Sequence, residues 1–100
     1  MLVVVWEYVA RPDRVEEFES FYRPDGPWGD LFRQCPAFVS TTLMKDLRNP
    51  RRFMVADRWT HETPYEEFKR ERSDEYEGLS ARGARLYERE AEIGRFDFLD

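Results

Sequence analysis

Polar and apolar positions alternate along much of this chain, and where the alternation stops a helical spacing takes over. From Arg52 to Thr60 the period is two. Phe53, Val55, Asp57 and Trp59 fall on one face, and Met54, Ala56, Arg58 and Thr60 on the other, which predicts a strand. The spacing then changes to i, i+3 at Tyr65 and Phe68, with Pro64 suited to a first helical turn and Thr60 or Thr63 to its N-cap. His61, the chain's one histidine, stands at this strand-to-helix corner.

The same reading extends to both sides. Leu2–Ala10 predicts a strand with apolar residues on both faces: Leu2, Val4, Trp6 and Tyr8 on one, Val3, Val5 and Val9 on the other. Asp13 and Glu16 form a capping-box-like pair before a helical stripe of Val15, Phe18, Phe21 and Tyr22. The run Arg23-Pro24-Asp25-Gly26-Pro27 breaks that helix. Trp28, Leu31, Phe32 and Cys35 then share one face of a second helix, which Pro36 closes. Phe38–Asp46 alternates as a second strand. The polar turn Leu47–Arg51 joins it antiparallel to the strand at Arg52. Beyond Phe68, Glu71-Arg72-Ser73-Asp74 reads either as a kink or as a break. Tyr76, Leu79, Gly83, Leu86 and Tyr87 then continue a helical face opposite Arg82, Arg85, Glu88 and Arg89. Ile93–Leu99 predicts a short fourth strand.

This order is the split βαβ pattern, an α+β, ferredoxin-like βαββαβ fold with a four-stranded antiparallel sheet in one domain over residues 1–100. Helices cover one face of such a sheet. The other would present Val, Phe, Leu or Trp to water, and a second copy packed sheet to sheet removes that exposure, so a homodimer is expected.

Composition narrows the function. With 41% hydrophobic and 16% aromatic residues the chain can build a packed core. A net charge of −5 without a basic cluster argues against a nucleic-acid partner. Cys35 stands alone, which excludes an internal disulfide framework, fits a reducing compartment and reads as a small buried hydrophobe. The apolar start ends at Glu7, too short for a signal peptide or a membrane span, so a cytoplasmic chain is expected. One His, one Cys and no glycine-rich loop after a strand leave no metal-ligand set and no nucleotide cradle.

Several residue patterns resemble the antibiotic-biosynthesis-monooxygenase family. They are the opening VVVWEYVARPDRVEEFESFY, the Trp28-Leu31-Phe32 helix running into PAFVSTTLMKD, Asp57-Arg58-Trp59, the YEEF of residues 65–68, and the closing EIGRF of residues 92–96. The resemblance spans nearly the whole chain and implies a dimeric α/β barrel. It also implies a cofactor-free oxygenation of an aromatic or polyketide-like compound. The haem-degrading branch of that family differs at all its functional positions. Its first-strand asparagine is missing (the one asparagine here is Asn49, in a turn), Glu71 stands near its tryptophan position, and His61 lies well before its iron-ligand position.

Such a reaction needs a base, a hydrogen-bond donor and an apolar cavity. His61 or Asp57 is the candidate base, and Tyr65 or Trp6 the donor. Trp6, Tyr8, Trp28, Trp59 and Tyr76 are candidate pocket residues for a flat aromatic ligand. Each also has a plain structural reading: His61 as an exposed capping residue, the aromatics as core. Glu7 with Arg58, and Asp57 with Arg95, can be ion pairs, and the runs Glu66-Glu67 and Glu88–Glu92 solvated helix faces. A non-catalytic dimeric domain holding a small hydrophobic ligand is the alternative function.

Overall fold

The computed structural model describes residues 1–99. Strand β1 spans Leu2–Ala10, β2 Phe38–Lys45, β3 Arg52–Trp59 and β4 Tyr87–Asp97. Helix α1 spans Val15–Tyr22, α2 Pro27–Phe32, α3 Glu62–Glu71 and α4 Ser73–Gly83. The strands form one antiparallel sheet in the order β2-β3-β1-β4, the ferredoxin-like arrangement the alternation predicts. Among the described residues no helix is long and apolar enough to cross a membrane.

Alternation decides which side chains meet the helices. On β1 Leu2, Val4, Tyr8 and Ala10 are buried, and on β3 Phe53, Val55, Asp57 and Trp59. All point to the helical side, because these two strands pair in register from Leu2 opposite Trp59 to Val9 opposite Arg52. The core forms two clusters. One gathers Tyr8, Phe18, Phe21, Tyr22, Phe53 and Val55; the other Val4, Leu31, Phe32, Trp59, Tyr65 and Phe68. Trp6, Trp28 and Leu79 pack against both and are themselves only partly buried. The space between the clusters is where a cavity opens.

The far face of the sheet carries Val3, Val5, Val9, Met54, Ala56 and Ala91, half-buried and uncovered by any helix, with Met44 and Phe96 exposed. Glu7 lies among them. It pairs with Arg52 of β3 and Arg89 of β4, and these hold its carboxyl below the usual range. The expected Glu7–Arg58 pair does not form. Arg58 instead stacks over Phe98.

Several local expectations are corrected, and the alternative left open after Phe68 is decided. The fourth helix stops at Gly83, and Tyr87–Glu92, expected on a helix, belong to β4. The cause is pairing: β4 runs the full length of β1, from Tyr87 opposite Ala10 to Asp97 opposite Leu2. Register shifts at Glu88 and Ile93 keep its alternation in step. Next, the hinge after Phe68 is a true break, with Arg72 leaving helical geometry at φ −113°, ψ 32°. The Asp13–Glu16 capping box is absent, since Arg14 occupies the N-cap of α1 without a side-chain cap bond. His61 rather than either threonine occupies that of α3. Finally, α2 ends at Phe32, so Cys35 lies in the following turn, half-buried against the second cluster.

Two helical glycines behave oppositely. A Cβ on Gly29 would lie 2.0 Å from the Pro24 carbonyl oxygen, so α2 can pack under the preceding turn only without a side chain. A Cβ on Gly78 would meet nothing within 4 Å. Gly29→Ala should therefore cost about 1–3 kcal/mol, a fall of roughly 5–20 °C in Tm for a chain of this size. Gly78→Ala should add about 0.5–1 kcal/mol. Thermal melts of the two variants check both signs; equal shifts in the same direction would refute the packing of α2.

Candidate functional site

A cavity of about 250 Å³ lies between the sheet and the helices. It is at the small end for ligand sites, which typically run from roughly 300 Å³ upward. Its walls are aromatic: Trp6 and Tyr8 from β1, Tyr22 from α1, Trp28 and Phe32 from α2, and Tyr65 and Tyr76 from α3 and α4. Larger depressions elsewhere, such as that around Arg14, Glu17, Arg82 and Arg85, are open and lined by solvated charges.

Asp57 supplies the closed end. It follows Val55 on the buried face of β3, and only 7% of its surface remains exposed. Its partner comes from β2: Thr41 stands directly opposite in register, and its Oγ1 donates a 2.6 Å hydrogen bond to Asp57 Oδ1. Among the described residues Asp57 has no cationic partner within salt-bridge distance, and the expected pair with Arg95 does not form. Arg95 of β4 flanks the same residue of β1, Val4, but turns to Glu62, Glu66 and Glu92. Burial without a counter-charge lifts the Asp57 carboxyl from 3.8 to about 6, and the Thr41 bond only partly opposes this.

The other end is built from Tyr8, Tyr22, Ser80 and Glu90. Tyr8 Oη donates a 2.8 Å bond to Glu90 Oε2, across the β1–β4 pair that sets these residues opposite each other. Glu90 is exposed, so this end opens to solvent. Burial pushes the Tyr8, Tyr22 and Tyr65 hydroxyls well above the usual phenol range, so they are donors at neutral pH. Trp28 adds an indole N–H that is buried without an acceptor among the described residues.

The candidates named from sequence thus divide. Asp57, Tyr65, Trp6, Tyr8, Trp28 and Tyr76 come together around the cavity. Trp59 and His61 do not. Trp59 is wholly buried behind the wall, its ring 4.9 Å from Tyr65 and 5.1 Å from Phe32. It belongs to the core because Tyr65 and Phe32 stand between it and the opening. His61 is exposed beside Thr60, Glu62 and Arg95 in a separate depression, because it stands past the last paired residue of β3, Trp59, at the N-cap of α3. Thr41 and Glu90 were missed. Thr41 had a signal, since a hairpin through Leu47–Arg51 places it near Asp57. Glu90 had none while its segment read as helix. Among the described residues no group of three or more His, Cys, Asp or Glu side chains comes together as a metal set.

No protein-family model matches the chain, and no curated protein matches it. Solved structures do. A mutant form of SnoaB, a cofactor-independent oxygenase from Streptomyces nogalater, is 16% identical over 99% of this chain and 93% of its own, with a TM-score of 0.79. A Nitrosomonas europaea protein, provisionally assigned to the antibiotic biosynthesis monooxygenases, is 16% identical over the whole of both chains, with a TM-score of 0.78. An antibiotic biosynthesis monooxygenase is 15% identical over the whole of both, at 0.70. The chain has the fold of the antibiotic-biosynthesis-monooxygenase-like proteins, the family its sequence resembles.

Proposed function

We propose that the protein is a cofactor-independent monooxygenase, or a closely related small-molecule enzyme, that takes a flat aromatic or polyketide-like compound into this cavity. One observation carries the reading: a buried carboxylate with a single hydrogen bond and no cationic partner among the described residues, lining an aromatic-walled space. A purely structural carboxylate at such depth would be neutralised by a partner, as Glu7 is. The names carried by the structural neighbours, a cofactor-independent oxygenase among them, agree with this choice.

In the reaction proposed, Asp57 takes a proton from an activated C–H or O–H of the substrate. The resulting carbanion, delocalised over the rings, gives up an electron to dioxygen. Recombination forms a C–O bond and a hydroperoxide. Loss of water from a former CH₂ centre leaves a carbonyl, so one oxygen atom enters the product and the other leaves as water. Tyr65 donates to the developing oxyanion, and Trp6 and Trp28 stack on the rings.

Two copies are proposed to work together. The far face of the sheet is the surface that a second copy would cover, and both Val5 and the Glu7–Arg52–Arg89 group lie within it. The purified chain should sediment at twice its monomer mass, and Val5→Glu should sediment as a monomer. A wild-type monomer would contradict the assembly.

Asp57 gives two linked expectations. Its carboxylate is the active form, so the rate should rise with pH through about 6 and then level off. The sign for stability is opposite. The folded chain holds this proton more tightly than the unfolded one, so the group costs stability as pH climbs from 3.8 through about 6. Asp57→Asn, which keeps the Thr41 bond, should abolish turnover. It should also raise stability by about 1–3 kcal/mol at alkaline pH, with the gain vanishing in acid. Oxygen uptake with anthrone-like substrates and melts across pH test both. An active Asp57→Asn enzyme would defeat the proposed role. Binding without any oxygen uptake would leave a ligand-binding domain instead.

A further inference from the structure

The lining of the cavity is lopsided in charge. Asp57 stands at the closed end and Glu90 at the mouth, and no lysine, arginine or histidine is among the lining residues. Two cations stand against wall residues: Lys69 near the rings of Tyr65 and Tyr76, and Arg95 near that of Tyr65. Lys69 Nζ lies 4.4 Å from the Tyr65 ring centroid, and the Arg95 guanidinium 5.4 Å. Both are already engaged: Lys69 with Glu66, Arg95 with Glu62, Glu66 and Glu92. Inside, the polar groups are acceptors at the two ends, with tyrosine, threonine and serine hydroxyls along the walls.

The two carboxylates are also held apart. Asp57 is level with Val4 of β1, and Glu90 with Tyr8. Four residues of strand separate these levels, roughly 13 Å along the sheet. A ligand passing from the mouth to the closed end therefore meets a carboxylate first and last. Fixing Glu90 by the Tyr8 bond keeps that charge at the entrance.

We propose that this cavity selects uncharged, hydroxylated ring systems and rejects carboxylated ones, with Glu90 screening at the mouth and Asp57 at the closed end. The inference rests on the ligand-binding reading above and narrows its substrate class. A phenolic hydroxyl can donate to either carboxylate and gains a charge-assisted hydrogen bond there. A ligand carboxylate would face two like charges in an apolar enclosure with no cation to offset them. Substrates that carry an acid would then have to enter as esters or after decarboxylation.

Calorimetric titration of the full chain with 2-naphthol and 2-naphthoate, at about pH 7.5 and so above the Asp57 value of about 6, tests this directly. Naphthol should bind about tenfold tighter or more. In Glu90→Gln and in Asp57→Asn the gap should narrow severalfold, because naphthoate binding improves in each. Naphthoate binding as tightly as naphthol to the wild type would overturn the selectivity while leaving the site intact. A gap unchanged in both variants would do the same. If neither probe binds, the ligand-binding reading fails and this inference falls with it.

Discussion

The bond from Thr41 to Asp57 spans the pairing of β2 with β3, and among the described residues it is the sole hydrogen bond to a carboxylate otherwise shut away from water. Everything proposed for the site depends on that isolation. The hairpin fixes which residue of β2 lies opposite Asp57. The β1–β3 register fixes the aromatic rings beside it. The glycine contact beneath α2 lets Trp28 and Phe32 pack as part of the cavity wall. Each supports the condition that raises the carboxyl toward neutrality: burial without a counter-ion.

The sheet treats its two internal carboxylates in opposite ways. Glu7, on the face away from the helices, is clasped by Arg52 and Arg89, and Arg52 is held in turn by Asp46. Those ties keep Glu7 ionised and fixed. Asp57, two strand positions from the level of Trp6 and on the opposite face, has a cation near at hand in Arg95, yet three glutamates hold that guanidinium elsewhere. Leaving Asp57 unpaired costs stability. A cost tolerated at the base of a cavity is the usual mark of a working group rather than a structural one.

Much of this was legible in the sequence because alternation is a direct record of which face is buried. The order of strands, the hairpin through Leu47–Arg51 and six members of the cavity wall follow from period two on Leu2–Ala10 and Arg52–Trp59 and from period 3.6 on the helices. The segment from Tyr87 to Glu92 was not legible. Its charges fit i, i+4 helical spacing as well as they fit an edge strand, and only the length of β1 available for pairing decides between them. Glu90 was lost with it. His61 drew attention by its chemistry, but it stands past the last paired residue of β3, at the N-cap of α3, where it is exposed. Ion pairs were misassigned for a related reason. Strand charges choose partners by register, and the shifts at Glu88 and Ile93 leave no trace in the composition of β4.

The most direct test of the central claim is the titration of Asp57 itself, followed through its side-chain carboxyl carbon by NMR, with Asp57→Asn to assign the signal. The structure predicts a midpoint near 6, far above the ordinary aspartate value. It also predicts that Thr41→Val, by removing the one bond that favours the charged form, moves the midpoint higher still. A midpoint near 3.8 would mean that water or a cation reaches Asp57, and the case for it as the base would collapse.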